Sequence, residues 1–189
     1  MTAERAYHHG DLRRAVIAAA LDVIAAEGPA ALSLRDLARR AGVSHAAPAH
    51  HFKDRAGLLT AVAVEGHVLL SEALGETTDL RDLGVRYVRF AMAHPAHFQV
   101  MFRPELLRTQ DPELLAARER TRGRLRRAVA GHGDDPALGF MAAWSMAHGF
   151  ATLLLSRNLD GLLGDRSPEE AFRALAAELP LGAGAAAAD

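Results

Sequence analysis

The 189-residue chain contains no cysteine. That excludes a disulfide framework, a thiol nucleophile and Cys-ligated zinc or iron–sulfur sites. Aromatics make up only 5 %, and Lys53 is the single lysine. No Gly-Lys pair occurs, so there is no Walker-type phosphate loop, and no Gly-x-Ser-x-Gly elbow presents an esterase-like serine. Glu-x-x-His is also missing, which argues against a di-iron helical bundle. β-Branched residues show no sustained alternation, so a sheet is not expected. No apolar run follows the start around Glu4, Arg5 and Asp11; a secretory signal is not expected, and the protein is read as cytoplasmic.

What is present is an ordinary globular composition, 50 % hydrophobic and 24 % charged, with a net charge of −1. The charge is unevenly placed. Residues 1–60 hold eight basic and six acidic side chains, and five of the ten histidines; the remainder holds 14 basic and 17 acidic. Two segments with two tasks are suggested.

Helical spacing runs throughout, so the expected fold class is all-α. Leu12, Val16, Ala19, Ala20, Val23 and Ile24 give the stripe of a first helix from Asp11, stopped by Gly28-Pro29. Ser33 caps a short second helix, with Asp36 three residues on, and Leu34, Leu37, Ala38 and Ala41 form its buried stripe. Gly42 supplies a left-handed stop. Ser44 caps a third helix over about 45–52, and a fourth follows over about 54–74. Further helices are read near 79–93, 95–102, 111–130, 135–158 and 167–178, with Pro95, Pro104, Pro112, Pro136 and Pro168 at or near their starts. The Gly/Ala-rich tail 181–189 is expected to be disordered.

Two short helices joined by a Gly-containing turn match a helix-turn-helix, whose second helix enters the DNA major groove. The short side chains of Ala46 and Ala47 let that helix approach base edges and meet thymine methyls, and His45 can hydrogen-bond a base. His50 and His51 complete its outward face. Ser33 and Ser44 put hydroxyls and helix N-termini where phosphates dock, and Lys53 and Arg55 add charge beyond the helix.

The stretch YHHGDLRRAVIAAALDVIAAEGPAALSLRDLARRAGVSHAAPAHHFKDRAGLL resembles the N-terminal domain of the TetR family of transcriptional regulators, over about residues 7–62. The resemblance implies that Ser33 and Arg35 approach phosphate and base, that His45, Ala46, Ala47 and His50 form the recognition face, and that His51 and Arg55 contact the backbone. The family's usual aromatic before the His-His pair is replaced by Ala49. Farther on, Trp144-Ser-Met-Ala-His148-Gly149 and HPAHFQVMF resemble a Trp-His-Gly subfamily, whose C-terminal half carries an effector pocket and the dimer interface.

The resulting organisation is a DNA-binding domain over 1–54, with the motif at 33–52, and a larger helical bundle over 55–180 for effector binding and dimerisation. His67, Phe98, Met101, Phe102, Trp144 and His148 are candidates to line an effector pocket; buried structural histidines are the competing reading. His94-x-x-His97 has no carboxylate at matching spacing, so neither metal nor cofactor is expected. Residues 139–156 carry no charge, with Ala142, Ala143, Ala147, Gly149 and Ala151 permitting close helix approach; a buried or dimer-interface helix is expected rather than a membrane span. Residues 118–127 hold six arginines, read as a solvated face. The function expected is a homodimeric repressor on a palindromic operator in double-stranded DNA, released by a small-molecule effector. A helical interaction module, or an enzyme, that binds no DNA is the alternative, although no catalytic constellation is visible.

Overall fold

The computed structural model describes residues 3–44, 46–130 and 135–178, with side chains from residue 12 onward except at 46 and 47. Among them there are helices and no strands. They divide into two compact units, one through His67 together with Pro95–Ala117, the other Val68–His94 together with residues from Arg118 on. The functional boundary expected at 54/55 falls inside the first unit.

The first unit holds α1 (Ala3–Glu27), α2 (Leu34–Arg40), α3 (Ala46–Phe52), most of α4 (Arg55–Leu74), α6 (Pro95–Met101) and the start of α7 (Pro112–Val129). α1 starts earlier than its apolar stripe suggested. Val16, Ile17, Ala20, Val23 and Ile24 bury one face of α1 against Leu37, Phe52, Leu58, Leu59 and Val62, and α6 adds Ala96 and Val100. Burying a side chain of this size contributes about 1.5–3 kcal/mol, so this cluster holds the short helices that propensity alone could not.

The second unit holds the end of α4, α5 (Leu80–Ala93), the rest of α7, α8 (Pro136–Leu155), α9 (Asp160–Leu163) and α10 (Pro168–Glu178). Side chains cap three of its helices. Asp79 accepts from the Arg81 and Asp82 amides at 2.8 and 3.1 Å. Asp135 accepts from those of Ala137 and Leu138 at 2.9 and 3.1 Å. Ser167 and Glu170 close a reciprocal capping box at α10. Glu170 is held below its ordinary carboxyl range by the Ser167 amide and hydroxyl. Gly84 of α5 makes room for the Phe172 ring of α10, which meets Phe150 of α8 edge-on at 5.4 Å.

The small residues of α8 serve this packing. Ala143, Ala147 and Ala151 are buried with Phe150, while Leu138, Met141, Ser145, Thr152 and Leu153 form the exposed side. Both α4 and α8 are long and apolar enough to cross a membrane, but α4 is 56 % buried over that window and α8 only 17 %. Among the described residues α8 therefore leaves an apolar face uncovered.

Candidate nucleic-acid interface

The interface is built from how α2 stops and α3 restarts. Ser33 is extended, and its hydroxyl accepts from the Asp36 amide at 3.5 Å, opening α2. At the other end Gly42 adopts φ +66°, which a side chain would disfavour. The Gly42 amide then donates to the Arg39 carbonyl at 3.3 Å and the Val43 amide to that of Ala38 at 3.0 Å. This paired closure turns the chain within three residues and aims it into α3.

α3 has an inner and an outer side. Pro48 and Phe52 are buried, one turn apart, so the proline costs nothing on the outer surface. Ala49 and His50 are exposed and His51 is half-buried, its ring edge-on to His50 at 5.6 Å. Ser44 and Arg35 are exposed. His45 lies outside the described residues. Of Ala46 and Ala47 only the backbone is described; they open α3.

The cations near this surface are not equally available. Arg39 pairs with Asp36 at 3.3 Å, and Arg40 with Glu27 at 3.8 Å. Among the described residues neither Arg35 nor Lys53 has an ion-pair partner within 4.0 Å. Lys53 follows α3 in a left-handed conformation, φ +69°, where its amide still reaches the Ala49 carbonyl at 2.9 Å.

Arg55, expected at the duplex backbone, has a partner inside the first unit. Its Nη2 donates to the Pro29 carbonyl at 2.6 Å, and its Nε is buried with no hydrogen-bond partner among the described residues. The guanidinium straps the start of α4 to the turn at Pro29–Ala31. The neighbouring Asp54 caps α4 through the Gly57 amide at 2.9 Å and pairs with Arg108 at 2.8 Å. Those two donors, the Gly57 amide first, hold its carboxyl below the ordinary value of 3.8.

The six candidate pocket residues fall into two groups. In the first unit His67, Phe98, Met101 and Phe102 pack closely: Phe102 meets Phe98 at 5.2 Å and His67 at 5.8 Å, and Met101 is fully buried against Gly66. His97 is also buried there, 3.2 Å from Glu65. In the second unit Trp144 and His148 lie one turn apart on α8, with rings 5.9 Å apart. Tyr87 of α5, which the sequence did not flag, places its hydroxyl 2.9 Å from His148 Nδ1. Burial holds the Tyr87 phenol above its ordinary range, a hydrogen bond with Trp144 acting the other way. Burial also lowers His148 below 6.5, favouring the neutral ring, whose Nδ1 can accept a hydrogen bond from the Tyr87 hydroxyl.

Capped α2, the glycine turn and a slim α3 with exposed Ser44, Ala49, His50 and Lys53 define a DNA-binding module of the helix-turn-helix class. The sequence comparisons agree and go further. The model described as "Bacterial regulatory proteins, tetR family" matches residues 16–62, and that described as "Tetracyclin repressor-like, C-terminal domain" matches 80–179. A protein of unknown function from Rhodococcus sp. RHA1 is 33 % identical over 91 % of this chain and 94 % of its own, with a TM-score of 0.73. The TetR-family transcriptional regulator PfmR from Thermus thermophilus is 25 % identical over 91 % and 99 %, with a TM-score of 0.62. SmeT, solved with triclosan, shares the fold at 18 % identity, covering 89 % and 91 %, with a TM-score of 0.61. No curated protein matches the chain. The chain belongs to the TetR family of transcriptional regulators. The narrower Trp-His-Gly grouping rests on residues 94–102 and 144–149 of the sequence, and the comparisons do not reach it.

Proposed function

We propose that this regulator acts as a homodimeric repressor on a palindromic operator in the cytoplasm, with residues 1–54 as the DNA-binding part and 55–180 as the effector-binding and dimerising part. The observation that carries the reading is the pairing of a turned, capped α2–α3 unit with unspent cations at Arg35 and Lys53. Arg35, Ser33 and Ser44 position the module on phosphates, Lys53 adds charge beyond α3, and His50 and His51 meet the duplex beside it. His45, Ala46 and Ala47 complete the proposed reading face.

One helix-turn-helix reads only a half-site, so two copies are required for a two-fold operator. The exposed apolar face of α8, with Leu138 at 59 % and Met141 at 55 % exposure, supplies a surface for pairing. Sedimentation of the intact chain tests this: a dimer that Met141→Glu dissociates supports the interface, and a wild-type monomer contradicts it. Effector release is proposed by fold-level analogy with the SmeT–triclosan complex. The groups around His67 and around His148 are its two candidate sites, and an effector and operator coupled through either would weaken each other reciprocally. Anisotropy titration on duplexes from the protein's own upstream region tests the operator. Preference over random duplex at moderate salt is expected; equal binding rejects it.

A further inference from the structure

The helix proposed to face DNA ends on two groups whose charge is not fixed. His50 and His51 form its last turn. His50 is exposed and His51 half-buried, with their rings edge-on at 5.6 Å and 82°. Two imidazolium ions at that separation repel each other, so the pair has room for one proton per copy.

α1 and α2 pack on α3. Their charged groups with described side chains are Arg13, whose guanidinium lies over the Phe52 ring at 6.0 Å, Arg14, Asp22, Arg35 and the pairs Asp36–Arg39 and Glu27–Arg40. Next along the chain come Lys53 and the Asp54–Arg108 pair. Among the described residues no carboxylate lies within 4.0 Å of His50. A duplex brings a row of phosphodiesters that stay anionic throughout the neutral range. A neutral imidazole donates one N–H to such a group; the imidazolium donates from both nitrogens and adds a charge.

We propose that the His50–His51 pair is a proton-dependent phosphate contact: each copy takes up one proton as the duplex binds, so that mild acid tightens DNA binding. The proposal rests on the reading of α3 as the DNA-facing helix. Imidazole changes charge between about pH 5 and 8, whereas arginine and lysine do not, so the pair adds a cation that Arg35 and Lys53 cannot supply, and only toward the acid side. Because the contact is to phosphate, it raises affinity for every sequence and selects none.

The test needs only the full chain and a duplex of random sequence. Affinity is read by anisotropy at about pH 6 and about pH 8, each at several salt concentrations. Wild-type affinity is expected to fall at least about fivefold toward the higher pH, and the slope of log affinity against log salt to flatten by about 0.9 for each proton no longer taken up. His50→Gln with His51→Gln keeps polar side chains that carry no proton, and should show less than about a twofold change and one salt slope at both pH values. Any dependence owed to the other eight histidines or to the N-terminal amine survives in that variant. His50→Gln alone alters only an exposed side chain, so the melt holds, and it too should flatten both dependences. Wild-type affinity that is equal or weaker at the lower pH, a salt slope that ignores pH, or a pH dependence that the variants keep would each overturn the proposal while leaving DNA binding intact. Absence of duplex binding at both pH values would overturn the reading of α3 itself, and the proposal with it.

Discussion

Replacing Arg55 with methionine separates two roles that a basic residue beside a DNA-binding helix can play. Methionine keeps most of the stem and removes the guanidinium. The lost contact is a 2.6 Å hydrogen bond from a charged donor to the Pro29 carbonyl, of a kind that contributes about 1.5–3 kcal/mol. The same change removes a buried Nε that has no partner among the described residues, returning about 1 kcal/mol. The net loss is about 0.5–2 kcal/mol. For a chain of 189 residues, about 2–4 °C accompanies each kcal/mol, so the melting temperature should fall by about 1–8 °C. A phosphate contact would behave differently: each one lost flattens the dependence of log affinity on log salt by about 0.9 and leaves the melt alone. Thermal melts and anisotropy at several salt concentrations, on one preparation, distinguish the two. The structure predicts a lower melting temperature with an unchanged salt slope. A slope reduced by about one with an unchanged melt would refute the strap.

Lys53→Gly should do the reverse. Glycine accepts φ +69° freely, so the melt should hold or rise by roughly 1 kcal/mol, while operator affinity falls and the salt slope drops by about 0.9; unchanged affinity would remove Lys53 from the interface. Gly84→Ala places a methyl against the Phe172 ring, 2.6 Å from Cζ. Overpacking of about 1–3 kcal/mol exceeds the helix-propensity gain of up to about 1 kcal/mol, so chemical denaturation should show a net loss, and a gain would mean that Phe172 yields easily. His148 titrates below 6.5 in the folded chain. The unfolded chain therefore takes up that proton first, and stability falls as the pH drops through 6.5. His148→Gln should flatten this part of the melting profile relative to wild type; parallel profiles would count against it.

The helix-turn-helix was legible because its determinants are local. Ser33 with Asp36, Gly42, and the apolar spacing from Leu34 to Phe52 act within a few residues of one another, and each appears in the structure where chain chemistry puts it. α9, at four residues, and the 3-10 turns at Pro29–Ala31 and Pro104–Leu106 are too short to leave a periodic signal. The hydrogen bond of Arg55 was not legible because its partner is 26 residues away and is a backbone carbonyl, which carries no mark in the sequence. Tyr87 was missed for the same reason: its role depends on α5 and α8 meeting, 61 residues apart. The inward turn of Ala143, Ala147 and Ala151 was likewise a matter of which face α5 covers, not of the residues themselves.

The central claim is that two copies of α3 read two half-sites related by a two-fold axis, a whole number of DNA turns apart. Selection of bound duplexes from a fully randomised library, with the intact chain, tests it most directly. The account predicts enrichment of an inverted repeat whose half-site centres lie about 10–10.5 base pairs apart, or a multiple of that spacing. Recovery of no common sequence, or of a single unrepeated half-site, would contradict it.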